Sequence, residues 1–132
     1  MGAELASNGA VTGAVRVWLR LEGFLVLALS LILYRQMGAK WWVFAVLFLA
    51  PDLILLAYLA GPRVGGACYN LVHSYFLPFV VGAAAILMGR VEWLPFILIW
   101  TAHIGMDRML GFGLKYPEGF GKSHLGFLGK AV

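Results

Sequence analysis

Four runs of about twenty mostly apolar residues, separated by short polar breaks, dominate the chain. They extend from about Val15 to Tyr34, from Trp41 to Ala60, from about Ala67 to Met88 and from about Trp93 to Leu110. A helix needs roughly 20 apolar residues to cross a hydrocarbon core, and each run meets that need. None alternates with period two, and all are too long for barrel strands. The breaks RQMGAK, GPRVGG and GRVE are short, so neighbouring helices must run antiparallel. The pattern predicts an all-α integral membrane four-helix bundle, up-down-up-down, over residues 15–110. Residues 1–14 read as a mobile N-terminal segment. Residues 111–132, with aromatic residues among lysines, read as a C-terminal tail on the membrane surface. Pro51 and Pro78 fall inside the second and third runs. Each should kink its helix and free the carbonyl four residues earlier, on Leu47 and Ser74, so both kinks should face protein or water.

Composition supports lipid as the main solvent. Hydrophobic residues make up 62% of the chain and charged residues 12%, against about half and a quarter in soluble domains. The net charge of +4 comes from a few residues flanking apolar runs, which suits headgroups better than nucleic acid. Trp41, Trp42 and Trp93 stand at run ends, where amphipathic rings favour the interface. One cysteine, Cys68, excludes an internal disulfide pair and reads as a packed thiol. The first run follows Arg16 and Arg20 without a small-residue cleavage site, so it reads as a retained span. Arg16, Arg20, Arg63, Arg108, Lys115, Lys122 and Lys130 fall on the side of the termini, against Arg35, Lys40 and Arg90 opposite. That excess places both termini in the cytoplasm of a cell whose inner membrane holds the protein.

The chemistry lies in polar residues inside the runs: Glu22, Asp52, Tyr69, Asn70, His73, His103, Asp107 and Arg108. An ionisable group at mid-membrane costs about 3 kcal/mol, so such groups face the bundle interior and find partners. At the helical rise, all lie within roughly 15 Å of one membrane surface. His103 and Asp107 are i,i+4 and share a face; Tyr69 and Asn70 share one with His73. Glu22 and Asp52 can add one carboxylate each from the first two helices. Several readings fit. One is a non-enzymatic membrane component whose polar cluster is a structural or partner-binding network, with Asp107 or Glu22 paired with Arg108. Another is a zinc, iron or manganese site on His73, His103 and Asp107, with Glu22 or Asp52 as general base for hydrolysis of a lipid or other apolar substrate. Haem held by His73 and His103 is a third, crowded by carboxylates and Arg108. Transport is a fourth; with no inverted repeat it would require an oligomer. Tyr69, Asn70, Arg108 and Lys115 are candidates to contact a bound group, the tail acting as a lid that brings Lys115 or His124 over the cluster.

Several segments together resemble a known family. They are RLEG at 20–23, PDL at 51–53, YNLVH at 69–73, HIGMDRMLGFGLKYPEGF at 103–120 and the SHLG that follows. The chain resembles the small bacterial membrane proteins grouped as domain of unknown function 4260, from Arg20 to Gly126. The resemblance implies a four-span membrane protein and brings no activity with it. Phe112 and Ser123 stand where the family pattern has Tyr and Thr, departures that put in doubt no more than the hydroxyl contacts at those two positions. A looser likeness, to membrane-bound metal-dependent hydrolases with His and Asp on their helices, is analogy only.

Overall fold

The computed structural model describes Val11, residues 13–116 and residues 122–127. The expected mobile segment and the middle of the tail therefore lie largely outside the described residues. Helix α1 spans Gly13–Gln36. A turn at Met37 and Gly38 leads to α2, Trp41–Leu47. A 3-10 helix follows over Ala50–Ala60. Next come α3, Pro62–His73, and α4, Phe76–Leu87. A 3-10 turn, Val91–Trp93, opens α5, Leu94–Leu110. The two-residue strands β1, Lys122–Ser123, and β2, Gly126–Phe127, pair antiparallel in the tail.

The two internal prolines shape this order. Pro51 cannot donate a backbone hydrogen bond, and the amide of Asp52 turns to Leu49 instead of continuing the α pattern. The α-helix stops at Leu47 and the chain goes on as a 3-10 helix of 11 residues. Pro78 acts one turn ahead of itself. Its ring crowds the carbonyl of Ser74, and Ser74 is extended (φ −95°, ψ 155°). The third run is thus not one straight helix from Ala67 to Met88. It starts at Pro62, absorbs the expected GPRVGG loop into α3, and bends by 44° between α3 and α4. Proline is tolerated in the first turn of a helix, so Pro62 begins one where a loop was expected.

Helix α1 packs along α5 and the 3-10 helix packs along α3. Gly23 and Gly105 make the first contact close: a Cβ on Gly105 would sit 2.7 Å from the Gly23 carbonyl oxygen and 2.8 Å from the Leu27 amide nitrogen. Small residues permit this approach between helices in lipid. One side of the crossing carries Ser30 Oγ and Thr101 Oγ1, 2.8 Å apart, and the other an Arg20 Nε bond to the Met109 carbonyl at 2.7 Å. The Tyr34 hydroxyl donates to the Lys40 carbonyl at 2.6 Å and its ring packs on Trp41 and Phe44, fixing the first connection.

Outward faces are apolar. Leu53, Leu56, Leu59, Phe76, Phe79 and Leu87 are all more than 60% exposed, far beyond what a water-facing surface of this size would carry. Gly13–Gln36 and Trp41–Ala60 are each long and apolar enough to cross a membrane, and the bent pair α3–α4 makes a third such stretch when taken as one.

Candidate metal centre

Three elements bring four ligand-type side chains together. Asp52 comes from the first turn of the 3-10 helix, His73 from the last residue of α3, and His103 and Asp107 from one face of α5. One ligand atom from each lies within 4.8 Å of all the others, a set that could hold a metal ion. His73 Nε2 is 3.1 Å from Asp52 Oδ1, 3.7 Å from Asp107 Oδ2 and 3.3 Å from His103 Nε2. His103 Nε2 is 3.2 Å from both Asp52 Oδ1 and Asp107 Oδ2. Both imidazoles are fully buried and Asp107 nearly so; the Asp52 side chain is 38% exposed and forms the open edge.

The surroundings orient the rings. His73 Nδ1 lies 3.1 Å from the Tyr69 carbonyl. A carbonyl only accepts, so Nδ1 carries the proton, and the neutral ring turns the lone pair of Nε2 toward the carboxylates. The Tyr69 ring stacks on His73, centroids 3.8 Å apart and nearly coplanar. His103 packs edge-on against Phe48. Its Nδ1 is buried without a well-formed hydrogen bond and faces the Phe48 backbone, whose carbonyl lost its helical partner when Asp52 turned to Leu49.

The α3–α4 break is also satisfied from α5. The Trp100 indole donates to the Val72 carbonyl at 2.7 Å, and Arg108 Nη2 to the His73 carbonyl at 2.8 Å. The expectation that the kinks face protein is met at this break. Neither Trp100 nor Tyr75, whose buried hydroxyl has no partner, stood among the residues singled out from sequence. Only Tyr75 carried a sequence signal, its place three residues before Pro78; Trp100 reaches the bend through the packing of α5.

The other expected residues fall around the centre. Arg108 is buried, bonds the Phe112 and His73 carbonyls and makes no ion pair among the described residues. Asn70 grips the tail: Nδ2 donates to the Lys115 carbonyl at 2.8 Å and Oδ1 accepts from the Lys115 amide at 2.6 Å. Lys115 is buried with its ammonium 5.2 Å from the centre of the Tyr69 ring. Burial pushes that ammonium below its ordinary value, the Asp107 carboxylate pulling the other way. The described tail thus folds back on α3. Glu22 does not join the four; it is exposed on α1 and lines a separate cavity with Arg108, Tyr75 and His124. A porphyrin has no slot here, because the two imidazoles meet at 3.3 Å and the carboxylates fill the space beside them.

Apolar helices around a buried His/Asp cluster define a helical membrane protein with a candidate metal centre. The profile of the domain of unknown function DUF4260 matches residues 16–128, and the chain belongs to that family. No curated protein and no solved structure matches it.

Proposed function

We propose that the protein is a four-span membrane metalloenzyme that hydrolyses a lipid or similarly apolar ester at the cytoplasmic leaflet. The observation that carries this reading is that each imidazole Nε2 lies 3.1–3.7 Å from the other and from both carboxylates, with all four ligand atoms within 4.8 Å of one another. Tetrahedral coordination at about 2.0–2.1 Å sets ligand atoms roughly 3.3–3.4 Å apart. Protons serve this arrangement poorly. Two carboxylates call for two positive charges, and two imidazolium rings would then meet face to face through their Nε2–H groups. One divalent cation satisfies all four atoms at once, and imidazole with carboxylate suits zinc, iron or manganese.

His73, His103 and Asp107 are the buried ligands. Asp52, at the open edge, is the group able to leave or share coordination and to act as general base. Bound there, the metal supplies Lewis acidity to water and to the ester oxygen. Asp52 takes the proton of the attacking water and passes it to the leaving oxygen as the ester bond breaks. A groove of about 320 Å³ is lined by Leu47, Ala50, Pro51, Val72, Ile99 and Trp100. Pro51 and Val72 immediately precede Asp52 and His73 in sequence, and Ile99 lies one turn from His103 on α5, which makes this groove the candidate seat for the apolar chain of a substrate.

Length supports a fourth span in this proposal. Helix α5 has 17 residues, about 25 Å at the α-helical rise, and the 3-10 turn of 3 residues adds about 6 Å. Together they match a hydrocarbon core of about 30 Å.

Elemental analysis of gently purified protein tests the centre. Wild type should carry about one equivalent of metal, and His73→Ala or His103→Ala should lose it while remaining folded. Metal well below one equivalent after supplying zinc, iron and manganese would return the cluster to a structural role.

A further inference from the structure

A second cavity lies beside the centre, across the α3–α4 break. It has a volume of about 280 Å³, and Glu22, Ser74, Tyr75, Arg108 and His124 supply its polar lining. Three features of this cavity have no role in the centre itself. Arg108 is only 7% exposed, yet no carboxylate lies within ion-pair distance of it among the described residues. It donates instead to two neutral carbonyls, those of Phe112 and His73. A buried cation without a counter-charge is costly, and a divalent metal in the neighbouring centre would use up the charge of Asp52 and Asp107. The Tyr75 hydroxyl is buried without a partner, with the Arg108 guanidinium 5.9 Å from the centre of its ring. Glu22, by contrast, is an exposed carboxylate lining the same space.

We propose that this cavity binds the headgroup of a zwitterionic phospholipid, its phosphate between Arg108 and Tyr75 and its ammonium toward Glu22. Guanidinium and phenol hydroxyl are donors suited to phosphate oxygens. An inorganic phosphate would meet the same donors but also the repulsion of Glu22; an aminoalkyl phosphate ester turns that carboxylate into a partner. The depth agrees with a headgroup, since Arg108 stands two residues before the end of α5. His124 closes the cavity from the tail: its Nδ1 accepts from the Leu114 amide at 2.9 Å, which leaves the proton of the neutral ring on Nε2. The site rests on the hydrolytic reading only in making the lipid a substrate, because Arg108 joins the two through its bond to the His73 carbonyl.

The test is a titration of the full chain in detergent with dihexanoyl phosphatidylethanolamine, dihexanoyl phosphatidylglycerol and inorganic phosphate, with metal content measured on the same samples. Saturable binding of the phosphatidylethanolamine is expected. Tyr75→Phe should weaken both lipids about tenfold, as expected for a hydrogen bond to a charged group. Glu22→Gln should weaken phosphatidylethanolamine by about two- to fivefold, the range for an exposed ion pair, and spare or strengthen phosphatidylglycerol. Absence of lipid binding, or unchanged affinities in Tyr75→Phe, would overturn the proposal. Inorganic phosphate binding as tightly as the lipid, indifferent to Glu22→Gln, would overturn the headgroup in favour of a free anion. Metal retained without lipid binding defeats this site alone; lipid bound without metal supports it and defeats the hydrolytic centre.

Discussion

His73 does three jobs through three different atoms. Its Nδ1 is tied to the Tyr69 carbonyl, its Nε2 enters the cluster, and its own carbonyl accepts from Arg108. The next residue on the same face, Asn70, ties the tail down through both of its amide atoms. Asn70→Ala would remove both of its hydrogen bonds to the Lys115 backbone, a cost of about 1–3 kcal/mol, and should loosen the tail. Faster proteolysis after Leu110 with metal content unchanged is the expected result. His124 gives the same docking a pH dependence. Burial, with the Arg108 charge acting the same way, holds its imidazole below the ordinary 6.5. The docked state therefore takes up a proton less readily than the free tail. Its stability is full above about 6.5 and falls as pH drops below that value toward the depressed one. Hydrogen-exchange protection of the Leu114 amide, which donates to His124 Nδ1, should decline over the same interval. Protection that holds steady through that interval would separate docking from the His124 charge. At this scale His103 and Asp107 were legible in the sequence, because i,i+4 spacing fixes a shared face. Glu22 was not placed by the same logic. Depth along the membrane normal says how far in a residue lies, but not toward which neighbour its helix turns it.

At the scale of elements, the prolines were legible as breaks and their consequences only in part. A break near Pro78 was predictable, but the carbonyl expected to need a partner was that of Ser74. Those reached from α5 are Val72 (by Trp100) and His73 (by Arg108). Which donors arrive depends on how α5 packs, which no local pattern carries. The extent of the 3-10 helix was equally hidden; a run of 11 residues is long for that geometry and stretches the second span. Glycines give the sharpest test of the packing. A Cβ on Gly105 would meet backbone atoms of α1 at 2.7 and 2.8 Å, and backbone cannot rotate away. On Gly82, in α4, a Cβ would meet only side-chain carbons of Ile97 at 3.6 and 3.8 Å, ordinary contact. Gly105→Ala should therefore destabilise the protein by about 1–3 kcal/mol through overpacking. Gly82→Ala should be neutral or stabilise by up to about 1 kcal/mol, since alanine is the better helix former. Thermal unfolding in one detergent ranks the two. Equal midpoints would mean that α1 and α5 do not cross as closely as the glycines require.

For the whole molecule, the centre and the charge distribution point to the same side of the membrane. The candidate ligands lie in the C-terminal turns of α3 and α5 and at the break in the second run, while the half of α4 beyond Pro78 is almost entirely apolar. Seven basic residues accompany the termini and the connection near Arg63, against three opposite. Lysine and arginine resist translocation, so in the proposed topology this excess would hold the ligand-rich end on the cytoplasmic side. Had the same four spans carried the charges in the reverse arrangement, the open edge of the site at Asp52 would face outward. The two arrangements are distinguished by reporter fusions after Val132 and within the connections near Gly38, Gly61 and Gly89. Four spans with cytoplasmic termini require cytoplasmic signals at Val132 and Gly61 and external signals at Gly38 and Gly89. A cytoplasmic signal at Gly89 beside one at Val132 would mean that α5 does not cross. The cluster would then be formed by a re-entrant helix, and an apolar substrate would reach it from only one leaflet. An external signal at Val132 would invert the molecule and detach the site from the cytoplasmic leaflet altogether.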